Sequence, residues 1–411
     1  MALDLSQHEA AAERSGSFAA WGRALRPLWG LDPDTHYINH GAFGATPREI
    51  GEEQTRWRVA MERNPARFFM TDLPRLLREA AAPLAAFVGT KPDRLAFVEN
   101  ATSGISAVVR SLDLAPGDEI LTTDHIYNAA RNTLRFVADR TGARLVEAPL
   151  GMPVRDDDHV VGTVKAALNA RTKLLVIDHV ASASAVRLPV EQLVALGRER
   201  GIPVLIDGAH APGLLDLDID AIGADWYVGN CHKWLCAPKG AAFLAVAERP
   251  TPVVHPLAIS HAYGQGFTAE FDKVGTRDPS SWLSVPAAIR FHERVGGKRL
   301  RQRNRELAAT IAAGSARELG TALGAAPQLF DAMATIRLPG NPPATRDEVT
   351  RIHDQLWDSG RFETAITSVA GALYLRISVQ AYNDLDDFSG LSDALLAALH
   401  DGAGAGPKAS R

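Results

Sequence analysis

Val204-Leu205-Ile206-Asp207-Gly208-Ala209-His210-Ala211-Pro212-Gly213 reads as a short buried strand that ends in a carboxylate and then a turn. Its apolar residues do not alternate with polar ones, the pattern of a strand covered on both faces. The same syntax returns at Asp225-Trp226-Tyr227-Val228-Gly229-Asn230-Cys231-His232-Lys233-Trp234, where the run ends in Asn, His and Lys. Working outward, strands are expected at 94–98, 119–122, 143–147, 173–178, 202–207, 226–229 and 241–246. Helices are expected between them at 103–112, 128–139, 160–169 and 190–200. This alternation predicts an α/β fold with a mostly parallel sheet between helices, and a ligand site beyond the carboxyl ends of the strands.

The pattern changes near residue 285. Helices at 286–295 and 300–319, strands at 332–338 and 373–379, a helix between those strands and another near 385–400 predict a smaller α+β domain. The expected organisation is a helical N-terminal segment (1–30) packed on the small domain, a large domain (31–284), a small C-terminal domain (285–400) and a Gly-rich tail (401–411). Tyr37 to Gly44 is expected to be a strand running into a Gly-rich turn.

The chain has 411 residues, 46% hydrophobic content and a net charge of −4. That is enough apolar material for one large core or two, with no basic field to attract nucleic acid or an anionic membrane. Two cysteines, Cys231 and Cys236, make neither a disulfide scaffold nor a zinc site. The N-terminus lacks a signal-peptide pattern and no apolar stretch reaches membrane-span length, so a cytoplasmic protein is the expectation.

Asp207 and Lys233 then face the same edge, one strand apart. A turn cap would account for Asp207 alone, and a snorkelling side chain for Lys233 alone. Among the eight lysines, only Lys233 follows directly from a buried strand and sits among aromatic and apolar groups. Burial frees a lysine amine to attack a carbonyl, and a carboxylate at the sheet edge suits a protonated pyridine nitrogen. Together they match what pyridoxal 5′-phosphate (PLP) requires of a protein. Asn100-Ala101-Thr102-Ser103-Gly104 lies between a strand and a helix, so it offers backbone donors and a helix N-terminus to a phosphate, or merely a helix cap. Walker and dinucleotide-binding glycine motifs are absent, which argues against a nucleotide-dependent ligase or a nicotinamide enzyme. A non-catalytic α/β binding protein would need both Asp207 and Lys233 to be structural.

Asp-Gly-Ala-His-Ala-Pro-Gly (207–213), Gly-Asn-Cys-His-Lys-Trp (229–234) and Gly-Thr-Arg-Asp-Pro (275–279) resemble the class V aminotransferase family of fold type I PLP enzymes, in its isopenicillin N epimerase-like branch. The resemblance implies a Schiff base on Lys233 and an Asp207 partner for the pyridine nitrogen. It implies His210 near the phenolic oxygen, Ala101, Thr102, Asn230 and His232 around the phosphate, and Ser182 as a further polar contact. Tyr127 takes the ring-stacking place, with His125 as alternative. Thr276 would reach the phosphate of a second subunit, hence a homodimer with shared active sites. Arg376 matches the arginine that grips a substrate α-carboxylate. Asn39 and His40 are placed with it as substrate contacts, with loop bracing as their other reading; Arg277 is left open.

The related cysteine desulfurases carry a catalytic cysteine ahead of that arginine. Residues 361–368 here contain none, so a persulfide-forming desulfurase is not expected. The resemblance implies an epimerase-like enzyme of small-molecule, secondary-metabolite biosynthesis. C–S cleavage by β-elimination, transamination and decarboxylation on an amino acid or cysteine S-conjugate stay open, because the sequence does not reveal which Cα bond stands perpendicular to the ring.

Overall fold

A computed structural model describes residues 21–249 and 251–403. The strands in chain order are β1 (His36–Tyr37), β2 (Leu95–Val98), β3 (Glu119–Thr123), β4 (Arg144–Ala148), β5 (Thr172–Asp178), β6 (Val204–Gly208), β7 (Trp226–Asn230) and β8 (Ala242–Val246), then β9 (Met333–Arg337), β10 (Phe362–Glu363), β11 (Ala365–Val369) and β12 (Ala372–Ser378). Seven of them build one sheet in the order β2-β8-β7-β6-β5-β3-β4. Neighbours from β7 through β4 are parallel; β8 alone runs against β7 and β2.

Successive residues of β5 and β6 feed opposite cores. Leu174, Val176 and Leu205 pack with Ile105, Leu134 and Val137 on one face. Leu175, Ile177, Val204 and Ile206 pack with Val160, Val190, Leu193 and Leu84 on the other. Both faces are therefore apolar, which is why these strands read as continuous hydrophobic runs.

The antiparallel sheet β11-β12-β9 forms the C-terminal part, with helices Gly297–Glu318, Arg346–Gly360 and Leu391–Ala403 around it. The two-stranded pairing of β1 with β10, and a bridge from Asn39 to Ser378, carry the N-terminal segment onto this part. Residues 1–20, expected to be helical, lie outside the described residues; Arg23–Leu28 forms a 3-10 helix. Among the described residues no helix is long and apolar enough to cross a membrane.

One local expectation is corrected. The strand stops at Tyr37, and His40–Phe43 winds into a single helical turn rather than an open turn. The turn ends at Gly44, with φ of 70°. A Cβ there would sit 2.2 Å from the His232 carbonyl oxygen. Only glycine lets this turn press against the Lys233 segment.

Candidate active site

Four adjacent strands end at one edge, each followed or closed by a functional group. Across the sheet from β7 to β3 the order is Lys233, Asp207, Asp178 and Tyr127. These side chains line one cavity of about 410 Å³, together with Ala101, Thr102, Ser182, His210, Asn230, His232 and Lys239.

Lys233 is 9% exposed, with Nζ 3.0 Å from His210 Nε2. Trp234 Nε1–H donates to the other ring nitrogen, Nδ1, at 3.3 Å. A neutral imidazole has one donor and one acceptor nitrogen. With Nδ1 accepting, Nε2 carries the proton and donates to the lysine, which must then offer a lone pair. The network thus selects the uncharged amine. Burial acts the same way: it lowers the Lys233 pKa to about 8, against the raising effect of Asp207. Burial also holds His210 well below its ordinary range, and the Lys233 charge adds to this.

Asp207 Oδ1 accepts from the Ala209 amide at 3.0 Å. Asp178 stands opposite it in register on β5. Asp178 Oδ1 accepts from the Tyr127 amide at 3.3 Å, while its buried Oδ2 has no partner. Burial pushes both carboxyls up, and Asp178 further because Asp207 lies beside it.

One end of the cavity is closed by the N-terminus of helix Ala101–Arg110. Asn100 Oδ1 caps it by accepting from Ser103 N–H, and Asn230 Oδ1 accepts from Ala101 N–H at 2.9 Å. His232 is anchored through Nδ1 to the Ala241 carbonyl at 2.9 Å, and burial lowers its pKa to about 4.

Arg376, from β12, lies behind Ser182 rather than on the cavity wall. Its Nη1 donates to the Ser182 carbonyl at 2.7 Å and to Ser182 Oγ at 3.3 Å; its Nη2 donates to Asn39 Oδ1 at 3.0 Å. Asn39 Nδ2 donates in turn to Glu363 at 3.0 Å. Arg376 Nε is buried without a partner.

Three expected site residues sit elsewhere. His40 is fully buried beneath the cavity, bonded to the Tyr382 hydroxyl at 2.8 Å and the Lys233 carbonyl at 3.1 Å. It braces the lysine backbone from below. His125 points away, to Ser184 Oγ and the Gly151 carbonyl. Thr276 is exposed on a separate groove with Phe97, Glu99, Phe271 and Arg277. The open residue Arg277 pairs with Glu99 and lies over the Trp282 ring. Asp178 and Lys239 were not singled out from the sequence. Asp178 carried the same signal as Asp207, an apolar strand closed by a carboxylate.

The donor set fits PLP. A helix N-terminus stands at one end, buried carboxyls in the middle, a lysine amine of lowered pKa beside them, and one of the lining carboxyls has an unsatisfied oxygen. Among the described residues no His, Cys, Asp or Glu cluster could hold a metal ion. Fold and site together define a fold type I PLP enzyme. The family model for class-V aminotransferases matches residues 48–324, and the chain belongs to that family.

Isopenicillin N epimerase of Amycolatopsis lactamdurans is 36% identical over 92% of this chain and 98% of its own length. A putative L-cysteine desulfhydrase of Oryza sativa is 32% identical, covering 89% and 83%. Among solved structures, the cysteine desulfurase of Thermococcus onnurineus superposes with a TM-score of 0.75 at 18% identity over 94% of this chain and 100% of that one. A cystine C–S lyase in complex with cysteine persulfide gives 0.73 at 21% identity, over 88% and 97%. These structural likenesses speak for the fold alone.

Proposed function

We propose that the enzyme inverts the Cα configuration of an amino-acid substrate, with Lys233 and Tyr127 as its two proton-handling groups. The observation that carries this reading is their order along the sheet edge: Lys233 and Tyr127 line one cavity from either side of the two carboxyls. Epimerisation needs a proton removed on one side of Cα and delivered on the other.

Bound PLP supplies the electron sink that makes a Cα proton acidic. Arg376, whose charge is felt at Lys233 and His210, binds the substrate carboxylate by exchanging its bonds to Ser182 for it, and so sets which Cα bond is presented. Lys233, its pKa lowered by burial, takes or returns a proton on its side. Tyr127, 46% exposed and held at its amide by Asp178, does so on the other. Asp207 supplies the negative charge that keeps the cofactor nitrogen protonated. Ala101, Thr102, Asn230 and His232 hold the phosphate. Reaction in deuterium oxide tests this: inverted product should carry one solvent deuterium at Cα, and Tyr127→Phe should keep Cα exchange while losing inversion.

A second reading, C–S cleavage, is supported by the L-cysteine desulfhydrase relatives. It needs only one base, and with water it would release sulfide or thiol, ammonia and a 2-oxo acid. A persulfide carried on an enzyme cysteine falls outside either reading. Residues 361–368 carry no cysteine, Cys231 and Cys236 are buried, and burial pushes the Cys236 thiol up to about 12.

The same reading includes a homodimer in which Thr276 of the partner subunit reaches this cavity. Thr276 does not line its own chain's cavity, and Val253, Leu257, Ile259 and Tyr263 expose apolar surface in the preceding stretch. Two buried free cysteines suit a cytoplasmic setting, and the epimerase relatives suit a role in small-molecule biosynthesis.

A further inference from the structure

The two carboxyls at the ends of β5 and β6 stand side by side, 2% and 3% exposed. Only one is needed to face a pyridine nitrogen. Asp207 is that one by its hydrogen bond to the turn and its proximity to Lys233. Asp178 has a different outfit. One oxygen accepts from the amide of Tyr127, and the other is buried with nothing in the chain to meet it, on a residue that lines the cavity. An unsatisfied buried carboxyl oxygen is costly unless a ligand completes it.

We propose that Asp178 is a second cofactor-pocket residue that keeps its proton, accepting from the Tyr127 amide through Oδ1 and donating through Oδ2–H to the bound cofactor. This rests on the cofactor reading above.

Burial and the neighbouring Asp207 favour the neutral form of Asp178, while the cations Lys233 and Arg131 act against it. Asp207 faces Asp178 from β6, Lys233 from beyond β7, and Arg131 from helix Asn128–Thr141. Arg131 is already paired with Glu147 at 2.9 Å. Once Lys233 is bonded to the cofactor, its free ammonium no longer offsets two anions. A close buried pair of carboxyls then holds one proton between them. Asp207 faces the protonated pyridine nitrogen in this reading and stays ionised, so the proton rests on Asp178. The two acids divide the work: Asp207 gives the ring its counter-charge, while Asp178 gives a neutral hydrogen bond and ties the Tyr127 backbone to the same wall.

The test uses the holoenzyme and follows the pH midpoint of the cofactor absorption band, with cofactor retention on dialysis as a second readout. Asparagine reproduces both bonds of a protonated Asp178, with Oδ1 accepting and Nδ2–H donating. Asp178→Asn should leave the midpoint where wild type has it, and Asp178→Ala should lose cofactor faster. Asp207→Asn, which removes the anion, should lower the midpoint by about one unit or more. A comparable fall in Asp178→Asn would show that Asp178 is ionised and would overturn the proposal. So would wild-type midpoint and retention in Asp178→Ala. If the alanine variant does not fold, the asparagine midpoint still decides. A wild-type protein with no cofactor band would fail the cofactor reading itself, whereas a band that moves in Asp178→Asn fails only this assignment.

Discussion

Lys233 Nζ lies 3.0 Å from Nε2 of His210, and both groups are buried. Because Trp234 donates to the opposite ring nitrogen, the imidazole proton points at the amine, an arrangement that fits the uncharged amine and not the ammonium. The nucleophile is therefore prepared before any cofactor arrives.

That preparation sets a pH dependence. An amine with a pKa lowered to about 8 by burial is uncharged over a larger fraction of the population at any given pH than an ordinary lysine. The rate at which apoprotein takes up PLP should rise through a midpoint near 8 and level off above it. An ordinary lysine would give a rate still climbing at pH 10. Stopped-flow absorbance across pH checks this.

Trp234→Phe removes the donor to His210 Nδ1 and lets the ring adopt the other tautomer. The uptake midpoint should move upward, toward the ordinary lysine value, since the amine loses its reason to stay uncharged. The same pH series on the variant measures it, with circular dichroism to confirm folding.

Arg376→Lys should weaken substrate binding while leaving the cofactor band intact, because Arg376 reaches its partners through a fork that lysine lacks. Losing a charge-assisted pair costs about 1.5–3 kcal/mol, or roughly a tenfold to hundredfold rise in KM. Asn39→Ala should give a smaller rise in the same direction, since it frees Nη2 without removing the charge.

Gly44→Ala should destabilise the protein and loosen the Lys233 segment together. The backbone at φ of 70° disfavours a side chain, and the new Cβ meets the His232 carbonyl. A loss of about 1–3 kcal/mol from the conformation alone, plus the clash, should appear as a lower Tm and faster PLP loss.

The sheet and its ligand edge were legible because β5, β6 and β7 are buried on both faces and end in polar residues. Asp207, Lys233 and the Asn100–Gly104 cap follow from that syntax. Asp178 carries the same syntax; its significance comes from register with Asp207, which one strand alone does not specify. Lys239 read as a turn residue because the fold, not the local sequence, brings it to the cavity. His40 lay in the right motif, but the Gly44 turn tucks it under the lysine instead of into the cavity. The Asn39–Arg376 pairing joins segments far apart in the chain, and no local pattern announces it.

The central claim is that Lys233 carries PLP. The most direct test is the absorption spectrum of purified wild type and Lys233→Ala, before and after borohydride. The account predicts a near-visible band in wild type that borohydride abolishes while fixing the cofactor to the chain, and no such fixation in the variant. A wild type that stays colourless with added PLP, or a variant that borohydride still fixes to the cofactor, would contradict it.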